Sequence, residues 1–467
     1  MILLLIPLAL AMLAMLRPLD HDESQYVAAA VLAQHGWPYR DFAYLQTPLQ
    51  PLLFAPLIEM FGTYSWPGLR LVNALLTAVA IGFTYASARR VGTGERVALL
   101  AALSFAACDI ALFSAAMARN DALPMALTAA AIWLALRARR TPWSAFAAGL
   151  CLSAAAAAKI SFALPALAYG LFALTDRRHR PLWVAAGATL PALLVGFAWW
   201  QAPDDFRFGV FGFPAAAPIE YYADRPWKLS VAAKAIDTLK FLALGPALLA
   251  LVMVARAGGT RRLRWLDAMI VAGLVAALLP SPTWRQYLAP LLPPLFVAFA
   301  LALHRAPPTR GWRIALAVFA CAGLMPSIAA LTGGRPAMPQ AIREGAAIAR
   351  ALDRAGVDGA VATLSPQFLP ATGRLPDPRF AAGPFAFRLR ALLSPTEQAA
   401  RRVVTPATLD AQFAAAPPAA ILTGGEGEWT SGEDALDRSL DDWAIRAEWR
   451  RAPVESTRFR LYLPPAG

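Results

Sequence analysis

Residues 66–88, WPGLRLVNALLTAVAIGFTYASA, end on the pair Arg89 and Arg90. A helix needs about 20 predominantly apolar residues to cross the hydrocarbon core of a bilayer, and this stretch supplies them before stopping on two cations. Similar stretches lie near 1–16, 97–116, 122–136, 144–158, 160–174, 181–200, 238–255, 266–280, 288–303 and 312–331, which makes eleven expected spans. Of the 467 residues 58% are hydrophobic and 16% charged, gathered in long runs, and this excludes an ordinary cytosolic enzyme. From about Thr332 charged residues become frequent and Pro and Gly punctuate the chain. The expected fold is therefore a mostly α, polytopic transmembrane helix bundle over 1–331, followed by a small soluble extracytoplasmic domain over 332–467.

The net charge of +13 does not mark a nucleic-acid binder. The tail carries 16 Arg against 15 acids, so the excess sits in the membrane part, with 27 Lys and Arg against 15 acids. It falls in short clusters between apolar runs: Arg89, Arg90 and Arg96; Arg137, Arg139 and Arg140; Arg177, Arg178 and Arg180; Arg256, Arg261, Arg262 and Arg264; Arg305, Arg310 and Arg313. Such clusters are a topology signal, and nucleic acid is not an expected partner. Two expected spans separate each cluster from the next, so all five fit on the cytoplasmic side. The stretch 144–174 is then a hairpin of two short helices turning at Lys159. Cys108, Cys151 and Cys321 all lie in apolar segments and form no metal spacing. Met1–Leu16 has no basic start and no small-residue cleavage site, so it reads as a first membrane helix and not as a cleaved signal.

With the N-terminus inside, the segment Arg17–Ser65, the tight loop Met117–Asp121, Lys159, the loops Gln201–Asp237 and Ser281–Tyr287, and the tail all face outward. Within the first loop, Glu23–Gln34 and Leu49–Phe61 show helical apolar spacing, separated by breaks at Gly36–Pro38 and Thr47–Pro48. They are expected to be amphipathic helices lying on the membrane surface. The loop begins Asp20-His21-Asp22-Glu23. Three acids in four residues beside a bilayer are costly unless solvated or paired. One reading makes Asp22 or Glu23 the cap of the next helix; the other makes the cluster a functional site.

Asp22-Glu23-Ser24-Gln25-Tyr26, the turn Gly36-Trp37-Pro38-Tyr39-Arg40-Asp41-Phe42, and Thr47-Pro48-Leu49-Gln50-Pro51 resemble the first extracytoplasmic loop of the GT-C glycosyltransferase superfamily. The nearest branch holds the protein mannosyltransferases and the lipid A aminoarabinose transferases. Arg119-Asn120-Asp121, Lys159 at its hairpin tip, and Trp284-Arg285-Gln286-Tyr287 followed by a Pro-rich span are similar to later elements of the same family. The resemblance covers roughly residues 15–331. It implies a membrane glycosyltransferase that takes a sugar from a polyprenyl-phosphate donor to a glycan, lipid or protein acceptor at the periplasmic face of a bacterial inner membrane. The family's proposed base falls on Asp22, with Glu23 and Asp121 as the accompanying catalytic acids. The extra Asp20 leaves open which acid aligns with the base, and Asp20 with Asp22 leaves room for a divalent metal. His21 is either a solvated loop residue or a ligand, and Asp121 either belongs to the site or merely caps the helix starting at Ala122.

The chemistry suits these residue types. Transfer from a lipid phosphate needs a base for the acceptor and cations for the departing phosphate. Arg119, Lys159 and Arg285, with Tyr287, are expected to converge on that phosphate. Gly92-Thr93-Gly94 is too short for a phosphate loop and reads as a turn. The tail predicts a helix over Ala341–Ala355 and strands at Gly359–Leu364, Ala419–Thr423 and Phe459–Leu463, an α/β pattern. Asp434, Asp437, Asp441 and Asp442 read as a solvated helix face. The rival reading is a transporter or flippase of lipid-linked glycans, which usually places ionisable residues in broken helices near the midplane; Asp109 is the main acid inside a span. The charge pattern predicts an extracytoplasmic C-terminus: a reporter fused after Gly467 is expected to be active outside the cytoplasm, and activity confined to the cytoplasm would reverse the topology.

Overall fold

Apolar runs bounded by cations become helices because a helix pairs its own backbone groups, which lipid cannot do. The computed structural model describes residues 2–258, 263–389 and 391–465, and all eleven expected segments are helical in it. Met1, Arg261, Arg262 and Gly467 lie outside the described residues. The helix Ser65–Arg90 starts where the Ser65 hydroxyl donates to Ile58 O at 3.0 Å, after a turn that Gly62 makes at φ 53°. It ends with Arg89 and Arg90 on its negative C-terminal pole. Among the described residues four helices are long and apolar enough to cross a membrane, or six if each of two bent pairs is one span; the shorter apolar helices include Ala122–Ala138, Pro142–Ala158 and Ile160–Thr175.

The two bent pairs correct the expected straight spans at 97–116 and 238–255. Glu95–Ala106 and Asp109–Ala116 meet at 64°, and Val231–Ala243 and Ala247–Ala257 at 94°. The breaks dock on each other. The Asp109 N–H donates to Leu244 O at 3.0 Å, and a Cβ on Gly245, which holds φ 135°, would lie 2.6 Å from the Cys108 Cα. A Cβ on Gly323 would run into Ala107 O, so a third helix, Arg310–Thr332, is admitted by glycine at the same point. The expected turn at Lys159 is present: the helix Pro142–Ala158 stops there and the backbone is extended, with φ −155°.

The first loop departs from expectation. The helix Glu23–Leu32 is buried along its entire length and does not lie on a membrane surface. Its small residues let neighbours approach from every side: the Leu19 N–H before it donates to Pro336 O, the His21 N–H to Thr430 O, and Gly383 packs onto Ser24. The helix Leu49–Phe61 does keep two faces, with Phe54 and Ile58 buried and Leu53 and Met60 exposed.

The helix Met338–Arg354 leads into a four-stranded sheet made of β1 (Val361–Ala362), β2 (Ala420–Thr423), β3 (Arg450–Ala452) and β4 (Arg460–Leu463), in the order β1-β2-β4-β3. β1 and β2 are parallel and the other pairs antiparallel. Leu19, Val27, Val31, Trp66 and Leu69 share one apolar cluster with Ile348, Leu352, Phe368, Leu422 and Leu461, so the core is continuous across Thr332. The acid run is not a solvated face. Asp434 and Asp442 are exposed, but Asp437 accepts the N–H groups of Gly424 and Glu426 at 2.7 and 2.8 Å, and Asp441 accepts the Thr423 hydroxyl and pairs with Arg460. The two buried acids pin the helix Asp434–Arg446 to the end of β2.

One buried ion pair ties these parts together. Arg70, fully buried in the helix Ser65–Arg90, pairs through two nitrogens with Glu23 and donates to the carbonyls of Ala14, Arg17 and Pro18. Glu23 also accepts from Trp66 Nε1 at 3.0 Å and from the Ala118 N–H at 2.7 Å. Removing one partner of a fully buried pair typically costs about 3–5 kcal/mol. Glu23→Ala and Arg70→Ala are each expected to lose that order of stability, read as unfolding of the purified protein in detergent; a loss below about 1 kcal/mol, within the range of an exposed pair, would remove the pair from this role.

Candidate active site

Within the loop Met117–Asp121 the Arg119 N–H donates to Met117 O at 2.9 Å, and other elements hold the rest. Asn73 donates to Met117 O at 2.6 Å and Arg119 O at 2.7 Å, the Glu23 carboxylate takes the Ala118 N–H, and Asn120 donates to Ala158 O at 3.2 Å. With the backbone fixed, Arg119 and Asp121 meet the two neighbouring loops. Arg119 pairs with Asp22 Oδ2 through Nη1 and with Asp121 Oδ2 at 3.1 Å through Nε, and Asp121 Oδ1 pairs with Lys159. Lys159 Nζ lies 5.8 Å from the centre of the Tyr287 ring. Asp22, Arg119, Asp121, Lys159 and Tyr287 therefore form one contact chain, in which charges alternate and all but the partly exposed Asp22 and Tyr287 are buried.

Arg285 does not join that chain directly. It donates to Asp109 Oδ2 at 2.9 Å, at the break in the helix pair, and its guanidinium lies 4.4 Å from the Phe113 ring centre. Arg119 and Arg17 lie 5.4 and 5.3 Å from the same ring, so three guanidinium groups surround one aromatic side chain. Arg17 was missed in the sequence, although a cation directly after an apolar run on the expected outer side was a usable signal. The Glu23 carboxylate is fully buried and accepts from four donors, Trp66 Nε1, Arg70 Nε and Nη2 and the Ala118 N–H, so it anchors the elements around the site.

The capping question also resolves. Asp20 Oδ1 accepts the Asp22 N–H at 2.9 Å, whereas the Asp22 side chain makes no capping bond. His21 is a part-buried bridge: Nδ1 lies 3.0 Å from Glu426 Oε1 and Nε2 3.4 Å from Asp22 Oδ1. Burial tends to raise the Asp22 pKa, but the charges of Arg119 and then His21 outweigh it and hold the carboxyl below its ordinary range. Burial and the charge of Asp22 push Asp20 up to about 6. For His21 burial acts downward, yet the Glu426 hydrogen bond and Asp22 leave the imidazole raised. Donor atoms of Asp20, His21 and Asp22 lie within 4.8 Å of one another. Asp20 Oδ2 carries no protein hydrogen bond, and an oxygen-rich set with one imidazole suits a divalent cation, but His21 Nε2 and Asp22 Oδ1 already face each other at 3.4 Å and Arg119 already supplies positive charge beside them. Glu426 had no sequence signal, because only the tertiary fold brings it to His21.

Comparison with known proteins places this arrangement. The structure is similar over its full length to ArnT from Cupriavidus metallidurans bound to undecaprenyl phosphate, with a TM-score of 0.67, 15% identity, and coverage of 100% of this chain and 98% of that one. The apo state of the same protein gives a TM-score of 0.65 at 15% identity, covering 99% and 97%. Arabinofuranosyltransferase AftD from Mycobacteria gives 0.56 at 17% identity, covering 100% of this chain and 40% of that one. The family model described as dolichyl-phosphate-mannose-protein mannosyltransferase matches residues 45–201, which include Arg119, Asp121 and Lys159. No curated protein sequence matches the chain. The chain thus shares the fold of ArnT over its whole length, and its apolar helices are those of an integral membrane protein. The family model and the full-length fold match point to the same group of proteins as the loop motifs do.

The shared carboxylate of Asp121 generates a stability prediction. Asp121→Asn and Lys159→Met are each expected to destabilise the protein, and the double variant to lose less than their sum, with a coupling energy of about 0.5–3 kcal/mol in a double-mutant cycle. Simple additivity would mean that the pair is not formed in the protein.

Proposed function

We propose that this protein is a glycosyltransferase of the bacterial inner membrane that takes a sugar from a polyprenyl-phosphate donor and passes it to an acceptor on the periplasmic side, where the tail over 332–467 also lies. The observation that carries this reading is the convergence of Asp22 and Arg119, from two different loops, beside Arg17 and Arg285, which share the Phe113 ring with Arg119. ArnT, whose fold the chain shares, was captured with undecaprenyl phosphate, which supports a donor of that class here.

Asp22 is the base of this mechanism. Kept ionised by Arg119, it takes the proton of the acceptor hydroxyl or amine as that atom bonds to the sugar's anomeric carbon. The bond from the same carbon to the phosphate oxygen breaks, and its electron pair leaves with the polyprenyl phosphate. Arg285 and Arg17, with Arg119 and Lys159 behind Asp121, stabilise the charge that gathers there, and Tyr287 helps to place the phosphate. Asp121 positions Arg119 and Lys159. A divalent metal, if bound, would be held by Asp20, His21 and Asp22 and would add positive charge near the acceptor. A transporter or flippase would move the lipid-linked glycan without forming a new glycosidic bond, so a transfer assay with purified protein separates the two.

Asp22→Asn keeps the side chain's shape, so the protein is expected to fold while transfer falls by about 10²–10⁴-fold. Asp20→Asn is expected to be milder, and chelator to mimic it only if the metal is used. Arg285→Gln should weaken binding of the polyprenyl-phosphate donor. Wild-type transfer by Asp22→Asn together with loss in Asp20→Asn would move the base to Asp20, and unchanged donor affinity in Arg285→Gln would remove that cation from the phosphate site.

A further inference from the structure

The last apolar helix, Arg310–Thr332, ends with a stripe of its surface uncovered: Leu324, Ile328 and Leu331, spaced i, i+4 and i+7, are all exposed. Gly334, at φ 68°, then turns the chain. Directly after it comes a cavity of about 370 Å³, lined by Arg335, Gln340, Arg343 and Arg458 together with glycine, proline and alanine, and by no acid. The cavity shares no residue with the chain from Asp22 to Tyr287 or with the cations around Phe113.

Three cations around one cavity repel one another unless a negative charge lies between them. Arg335 and Arg343 are exposed and pair with no acid among the described residues; Arg335 Nη1 donates to Ser431 Oγ at 3.1 Å, and Arg343 Nη2 to Gln340 Oε1 at 2.5 Å. Arg458 pairs with the buried Glu344 at 3.1 Å, and its guanidinium lies 4.8 Å from the Trp429 ring, so it is held in place. The helix Met338–Arg354 begins at the same point. Its cap residue Ala337 supplies no side-chain acceptor and its first turn holds no acid, which leaves its positive pole without a neutralising group of its own. Guanidinium forks beside a helix N-terminus are the elements that hold phosphate oxygens.

We propose that this cavity binds the headgroup phosphate of an anionic membrane phospholipid, with an acyl chain lying along the stripe of Leu324, Ile328 and Leu331. The lipid is neither donor nor acceptor of a sugar, and the inference needs only the membrane setting of the helices, so it stands apart from the glycosyltransferase reading. Continuity with an exposed apolar helix assigns the phosphate to a lipid, since a free phosphate would use the cations alone. The site also adjoins the segment that carries Asp22. Pro336 O accepts the Leu19 N–H at 3.0 Å, and Arg335 holds Ser431, whose neighbour Thr430 accepts the His21 N–H at 2.7 Å. A bound headgroup therefore braces both contacts of that segment with the C-terminal part.

The test titrates the full chain, purified in a neutral detergent, with dioleoyl phosphatidylglycerol or dioleoyl phosphatidylcholine and counts bound lipids by native mass spectrometry. The wild type is expected to hold one phosphatidylglycerol roughly 10- to 100-fold more tightly than phosphatidylcholine, the contribution of two or three interfacial cations. Arg335→Gln combined with Arg343→Gln breaks no pair with an acid, so this double variant should fold and lose the preference. Arg177→Gln combined with Arg178→Gln, in the exposed cluster after the helix Ala163–Thr175, should keep it. Thermal unfolding gives a second readout: phosphatidylglycerol should raise the melting temperature of the wild type more than that of the Arg335 and Arg343 double variant. Equal affinity of the wild type for the two lipids, or a preference that survives in that double variant, would overturn the proposal. Displacement of the lipid by an equal concentration of inorganic phosphate would assign the cavity to a free anion and overturn the lipid.

Discussion

Glu23 and Arg70 present a problem that the rest of the molecule is arranged to solve. Each is an ionised side chain taken entirely out of water, and either alone would be prohibitively costly at that depth. Together they are stable because the Arg70 N–H groups and both Glu23 oxygens find partners. Arg70 satisfies carbonyls at the end of the first helix, which no intrahelical donor reaches, and Glu23 takes the Ala118 N–H and the Trp66 indole. The same two side chains therefore fix the end of the first span, the start of the next buried helix and the loop that carries Arg119. Asp22 and Arg119 adjoin residues locked by this one pair, which is how groups 97 positions apart in sequence are held in contact.

Electrostatics then follows from placement. The alternation of Asp22, Arg119, Asp121 and Lys159 leaves that chain near neutrality, so it can be buried without stranding a charge. The excess positive charge sits beside it, where Arg285 pairs with Asp109 and Arg17 lies against the same Phe113 ring. An anion entering there meets cations that are already desolvated and oriented, and so pays little to reorganise them. The Phe113 ring at the centre keeps the three guanidinium groups apart while offering its face to their charge.

Much of this was legible in the sequence and some of it could not be. Apolar runs and Arg clusters mark the helical segments, because crossing lipid demands both, and the loop motifs bring Asp22, Arg119, Asp121 and Lys159 forward as a group. The helix Glu23–Leu32 was misread because an Ala-rich helix with one polar end has the same spacing whether it lies on a surface or is enclosed; only its neighbours decide. Glu23 and Asp22 are adjacent acids with opposite fates for the same reason. Asp437 and Asp441 look like solvent-facing residues until β2 and the turn after it supply the hydroxyl and N–H groups that they accept. Glu426 lies so far along the chain that no local pattern connects it to His21.

The broken helices give these observations a common cause. A continuous helix through Asp109 would have no free backbone N–H at that residue, because the carbonyl four positions earlier would take it. The break instead hands the Asp109 N–H to Leu244 O in the second broken pair, and Gly245 and Gly323 let three backbones close around Ala107 and Cys108. The price in helix hydrogen bonds is met locally, since a break enclosed by protein does not expose backbone to lipid. What it achieves is directional: Asp109 begins a new short helix, its carboxylate reaches Arg285, and Phe113, one turn further on, carries its ring to Arg17 and Arg119. Straight helices would have spaced the same residues along two parallel axes, whereas bends of 64° and 94° bring them to one place.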